Sequence, residues 1–135
     1  MNEYQKKYQE QAIYQMSPAE LLLLTYEEGI KCLKKAQYLL EEKKYETFDG
    51  NMDRATRIVR YLQQTLDMEQ PVSGDLNRIY EYLLFDLSRV RAGRERRAEE
   101  LPGMITILEE LRDGFSGASK QASGTLPPRE SRILV

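Results

Sequence analysis

Residues 17–43 read SPAELLLLTYEEGIKCLKKAQYLLEEK. Ser17 suits an N-cap, Pro18 suits the first helical position, and Glu20 is placed to close a capping box. On a wheel of about 100° per residue, Leu22, Tyr26, Gly29, Leu33, Ala36 and Leu40 fall on one line. Leu23 and Ile30 flank it on one side, and Leu21, Cys32 and Leu39 on the other. The apolar arc is roughly 200° wide, against the roughly 100° that a surface helix needs. Such a helix needs neighbours on two sides, and this predicts an all-α fold with the segment at its centre.

The chain is 135 residues long, 41% apolar and 31% charged. One domain with a sizeable core is expected. A net charge of −2 gives no global pull toward nucleic acid or an anionic membrane. No run of about 18 apolar residues predicts a membrane span, and MNEYQKKYQEQ lacks the apolar segment of a signal peptide. The chain has no His and one Cys. The usual zinc sites, Cys–His and Ser-His-Asp nucleophile systems and Glu-x-x-His di-iron bundles are therefore excluded. Cys32 leaves no internal disulfide and suits a reducing cytoplasm, as buried filler. The expectation is a cytoplasmic protein with no cofactor and no metal; carboxylate-only chemistry stays open, although the 22 acids are scattered among 20 bases with no isolated acidic pair in an apolar setting.

Toward the N-terminus, residues 1–16 are polar, with Tyr4, Tyr8, Ile13 and Tyr14 as sparse apolar positions. Tyr4 and Tyr8 are one helical turn apart, which allows a short helix of doubtful stability by itself. This segment reads as a strap. Tyr8, Ile13 and Tyr14 either pack permanently on the domain or cover a groove reversibly.

Toward the C-terminus, Lys43-Lys44 breaks the helix. A second helix, Tyr45 to Met68, has Phe48, Met52, Ala55, Ile58, Val59, Leu62 and Leu66 on one face. Asn51 lies within that stripe, either tying down nearby backbone or held ready for a bound peptide. Residues 69–72 form a loop, and Ser73 is read as the cap of a third helix, Gly74 to Ala92. Its inward face is Leu76, Ile79, Tyr80, Leu83, Leu87 and Val90. Tyr82 and Phe85 adjoin on the opposite side, awaiting cover by another element or a partner.

The turn Arg89–Arg97 holds five arginines. Cations suit a helix C-terminus, and Gly93 reads as the C′ residue. The alternative function is an RNA- or membrane-associated module acting through this turn, although no stacking platform accompanies it. A fourth helix, Glu99 to Phe115, has Pro102 in its opening turn and a stripe of Leu101, Met104, Ile107, Leu108, Leu111 and Phe115. The Gly-, Ser- and Pro-rich residues 117–135 read as a disordered tail. Ile133-Leu134-Val135 forms a short apolar end.

Four amphipathic helices with short loops predict an antiparallel up-down-up-down four-helix bundle over 17–116. Helices on the order of 25 to 39 Å long offer grooves rather than a deep pocket.

Several ordered stretches carry a resemblance. Ser17-Pro18-Ala19-Glu20-Leu21, followed by Leu24-Thr25-Tyr26-Glu27-Glu28-Gly29-Ile30, resembles the first helix of the FliS family of flagellar export chaperones. Asn51-Met52-Asp53-Arg54-Ala55 with Ile58-Val59 and Leu66-Asp67 resembles the second helix. Leu76-Asn77-Arg78-Ile79-Tyr80-Glu81-Tyr82-Leu83 resembles the third, and Ile107-Leu108-Glu109-Glu110-Leu111-Arg112 the fourth. The likeness spans about residues 4 to 115. It departs at Phe115, where the family often has Trp, and at the Arg-rich turn and Pro102-Gly103.

The resemblance implies a non-enzymatic cytoplasmic chaperone. It would bind the C-terminal segment of unpolymerised flagellin, prevent premature assembly, and deliver it to a component of the flagellar export gate. It implies no nucleic-acid partner and no membrane insertion, and it allows a homodimer when the client is absent. The pattern of the residues themselves offers Tyr8, Ile13, Tyr14, Leu24, Asn51, Arg54, Tyr80 and Tyr82 as candidates for partner or strap contact. Each has a structural alternative. Tyr80 lies on a core stripe, Arg54 can pair with a nearby acid, and Leu24 sits on the side of the first helix that bundle packing leaves wet.

Overall fold

The computed structural model describes residues 3–124. In chain order it contains α1 (Glu3–Tyr14), α2 (Pro18–Glu41), α3 (Tyr45–Gln64), α4 (Pro71–Gly93), a 3-10 segment (Arg94–Glu100) and α5 (Leu101–Gly124). Among the described residues there is no strand.

α2 starts as its sequence dictates. The Ser17 hydroxyl oxygen accepts the Glu20 N–H at 3.1 Å, and Pro18 occupies the first helical turn. Glu20 reaches back to the Ser17 hydroxyl, which donates to its carboxylate at 3.1 Å. The cap is thus closed side chain to side chain, where a capping box would use the Ser17 N–H.

The Lys43-Lys44 break is a Schellman ending. Lys43 N–H donates to Leu40 O at 3.0 Å and Lys44 N–H to Leu39 O at 2.9 Å. Lys43 takes the left-handed conformation at φ 58° that this motif demands and that glycine usually supplies.

Several boundaries differ from the sequence reading. α3 stops at Gln64 rather than Met68 because Asp67 organises a turn. Its carboxylate accepts the Glu69 N–H at 3.0 Å, and its carbonyl accepts the Gln70 N–H at 3.0 Å. α4 then begins at Pro71, with Gln70 as N-cap. Ser73 is not the cap; it is buried in the first turn, where its hydroxyl donates to the Asp67 carbonyl at 2.5 Å.

At the other end, Gly93 stays helical at φ −84°. Arg94 takes the positive φ instead, at φ 52° and ψ −123°. The fourth long helix is preceded by the 3-10 segment, within which Arg97 leaves helical geometry. α5 continues to Gly124, into the segment read from composition as tail. The rest of that tail, 125–135, lies outside the described residues.

α2 packs against both α3 and α5, while α4 packs chiefly on α3. This is the two-sided burial that its wide arc predicts. Gly29 marks the crossing: a Cβ there would lie 3.3 Å from Ile58 Cγ2 on α3 and 3.5 Å from Leu108 Cδ1 on α5. Cross-helix partners run in opposite chain directions between α3 and α4, with Asp49 on Arg94, Asp53 on Arg91 and Gln63 on Asn77. Tyr26, Leu33, Phe48, Met52, Leu62, Leu83, Leu87, Leu101, Met104 and Leu108 are fully buried. Each such side chain contributes about 1.5–3 kcal/mol relative to exposure. Ile105, which the sequence stripe of the last helix leaves out, is also buried.

Candidate functional site

The four long helices do not close equally. Because α4 is committed to α3 and α5 to α2, the seam between α4 and α5 stays open. It forms a groove of about 390 Å³ walled by Ile79 and Tyr82 of α4 and by Ile107 and Leu111 of α5. Arg78 stands on the α4 rim and Glu110 on the α5 rim. The spacings i, i+3 and i, i+4 bring each pair of apolar residues to one line along its helix. Tyr82 is 54% exposed, and Phe85, one turn further along α4, is 60% exposed under the Arg89 guanidinium at 5.3 Å. No described element covers this pair. In the core, Tyr26 and Tyr80 share a buried hydroxyl–hydroxyl hydrogen bond, and Phe115 stacks on Tyr26 with centroids 5.7 Å apart. Burial pushes both phenols up from their ordinary pKa, so both stay protonated at neutral pH.

A second, smaller cleft of about 90 Å³ lies where α2 begins and α3 ends, between Leu21, Leu22 and Thr25 on one side and Tyr61 and Thr65 on the other. α1 buries none of its residues. Tyr8 is 74% and Tyr14 87% exposed, and Ile13 is exposed as well. A 12-residue helix without a buried face is marginal on its own.

The other sequence candidates separate rather than converge. Tyr80 is core, as its stripe position suggests. Asn51 donates its side-chain amide to the Thr47 carbonyl at 3.0 Å, so it ties down its own helix. Arg54 pairs across to Glu28 of α2 at 3.3 Å. Leu24 is half-buried on α2, outside the buried core and the apolar shell packed on it. Tyr82 alone lines the groove. The sequence reading missed Ile79, Ile107 and Leu111 as groove walls because each also belongs to a core stripe. Nothing in a stripe says which edge its neighbours leave uncovered.

The arginine turn is held internally. Arg91 clamps Asp53 through two hydrogen bonds of 2.6 and 3.1 Å, which holds the Asp53 carboxyl below its ordinary pKa. Arg94 binds Asp49 at 3.0 Å and lies 4.5 Å over the Tyr45 ring, and the Tyr45 hydroxyl donates to Glu95 at 2.5 Å. Arg97 binds Glu100 at 3.2 Å, and Arg89 lies 3.8 Å from both Asp86 and Glu100. Arg91 and Arg94 thus fasten α4 and the 3-10 segment to α3, and Arg89 and Arg97 pair within those two elements; among the described residues Arg96 has no ion pair. Among the described residues, no helix is long and apolar enough to cross a membrane.

The chain is 26% identical over 121 residues to the flagellar secretion chaperone FliSB of Pseudomonas aeruginosa, covering 88% of this chain and 94% of the relative. It is 25% identical over 115 residues to the flagellar secretion chaperone FliS of Bacillus subtilis, covering 85% and 82% respectively. The model of the flagellar protein FliS family matches residues 1–122, which takes in every described helix up to the last residues of α5, and the chain belongs to that family.

Proposed function

We propose that this protein is a cytoplasmic flagellar export chaperone. It binds the C-terminal segment of unpolymerised flagellin, prevents its premature assembly, and delivers it to the export apparatus. Family membership and the likeness to two flagellar secretion chaperones support a binding protein rather than an enzyme. The structural observation that carries the reading is the uncovered apolar α4–α5 groove with Tyr82 half-exposed on its wall. A client helix laid there supplies the apolar face that the seam lacks. Tyr82 and the half-buried Leu24 are client contacts in this reading, and α1, through Tyr8, Ile13 and Tyr14, is a strap that competes with or assists the client. Ordering a previously disordered client costs roughly 2–5 kcal/mol, which keeps affinity moderate enough for release.

Titration calorimetry of the full chain with a flagellin C-terminal peptide, at two salt concentrations, tests this directly. Binding with a negative heat-capacity change and little salt dependence is expected, and Tyr82→Asp, Leu111→Asp and Leu24→Asp should each weaken it while the helical signal persists. No binding of the peptide would overturn the proposal. RNA binding that falls steeply with salt would point to the arginine turn instead. The internal pairing of Arg89, Arg91, Arg94 and Arg97 speaks against that outcome.

A further inference from the structure

The chain carries an apolar groove without a described occupant and, outside the described residues, an apolar triad without an assigned role. We propose that the α4–α5 groove is the docking site of the chain's own C-terminal segment, residues 125–135, through Ile133, Leu134 and Val135, and that this contact competes with client.

Three observations meet here. The first is chemistry: Ile79, Tyr82, Ile107 and Leu111 present aliphatic and aromatic surface, and TLPPRESRILV offers three consecutive large aliphatics.

The second is reach. At about 1.5 Å per helical residue, Leu111 and Ile107 lie about 20 and 26 Å back along α5 from Gly124. The nine residues from Gly124 to Ile133 span up to about 30 Å when extended, which leaves slack for the chain to reverse. Pro127-Pro128, soon after Gly124, is a sequence signal for leaving the helix.

The third is charge. The rim carries one carboxylate, Glu110, and one cation, Arg78. The tail carries Arg132 directly before the triad, with Glu130 and Arg129 preceding it. A tethered triad has an effective concentration on the order of millimolar, enough to hold a contact of few residues and still yield to a longer client.

Docking itself does not depend on the chaperone reading; only the competition with client rests on it. A reporter read without client keeps the two separate. The chain has no Trp, so Tyr82→Trp places a single indole on the groove wall. In the full-length reporter, acrylamide quenching should rise about threefold and emission should shift to the red when Ile133→Ser and Leu134→Ser are added. The same change should not follow Tyr4→Ser with Tyr8→Ser, nor dilution of the reporter. Equal quenching with and without the tail substitutions would overturn the proposal. Protection lost on dilution would identify a second copy as the occupant, and protection lost with the α1 substitutions would identify α1; either result also overturns it. If the chaperone reading holds as well, the tail variant should bind the flagellin peptide about 3–10-fold more tightly, because affinity scales with the open fraction.

Discussion

Arg94 offers a test in which the ordinary order of two substitutions reverses. Its backbone, at φ 52° and ψ −123°, lies in a region that costs a residue with a Cβ about 1–3 kcal/mol and costs glycine almost nothing. What holds it there is its side chain, bound to Asp49 at 3.0 Å and stacked over Tyr45 at 4.5 Å. Both partners of the ion pair are partly solvated, so that contact contributes up to about 1 kcal/mol, and the ring contact about 0.5–1 kcal/mol. Arg94→Ala loses both contacts and keeps the strain. Arg94→Gly loses both and relieves it, less about 0.5–1 kcal/mol for glycine's greater unfolded freedom. The Gly variant should therefore exceed the Ala variant by about 0.5–2 kcal/mol, whereas at an unstrained helical position Ala exceeds Gly by up to about 1 kcal/mol. With urea m-values of about 1–3 kcal/mol per M for small proteins, the two midpoints should differ by a few tenths of a molar or more. Urea titration followed by far-UV circular dichroism resolves this. An Ala variant as stable as the Gly variant, or more so, would refute the reasoning.

Three further outcomes follow from the same structure. Lys43 sits left-handed in its Schellman turn, so Lys43→Gly should stabilise the chain by up to about 1 kcal/mol, read as a raised Tm; a lowered Tm contradicts it. At the three-helix crossing, Gly29→Val should destabilise by about 1–3 kcal/mol through contact with Ile58 and Leu108, while Gly29→Ala stays within about 1 kcal/mol because helix propensity offsets the tight fit. Equal Tm values for the Val variant and the parent would count against the crossing. Asp86 is buried, and burial, then its hydrogen bond to Glu100 and that carboxylate's charge, push its pKa up against the lowering effect of Arg89 and Arg97. A raised folded pKa means that its stabilisation is full below the unfolded Asp value and is lost as pH rises through the folded value. Glu100, lowered by Asp86 and Arg97, behaves oppositely and loses its contribution as pH falls. Asp86→Asn should therefore gain stability relative to the parent between about pH 4 and pH 7, measured by urea titration at both. A pH-independent difference would show that Asp86 does not titrate in that window.

The helical positions that the chain's periodicity marks as apolar are the ones that pack. Tyr26, Leu33, Phe48, Leu62, Leu83 and Leu108 all lie on the predicted stripes and are all buried. The reason is local: a 3.6-residue repeat lines such residues up on one side, and water drives that side against its neighbours. The wide arc of α2 likewise foretold neighbours on two sides. The start of α2 was legible because Ser17 and Pro18 act on the backbone within one turn.

Where elements end was less legible, because several partners compete there. Gly93 has the composition of a left-handed cap, yet Arg94 takes that conformation, anchored to Asp49 and Tyr45 on another helix. Ser73 has the composition of an N-cap, yet the turn at Asp67 draws its hydroxyl into the loop and lets Pro71 open the helix. The arginine cluster reads in sequence either as helix-end cations or as a basic patch, and only the fold sets Asp49 and Asp53, distant in sequence, opposite Arg94 and Arg91.

Sequence alone thus determined the all-helical class, the family resemblance and the core stripes, since each depends on residues one or two turns apart. Tertiary structure alone decided which stripe edges stay uncovered. Ile79, Ile107 and Leu111 look the same in a wheel whether they face a neighbour or a gap. Only the commitment of α4 to α3 and of α5 to α2 leaves the seam in which they line a groove.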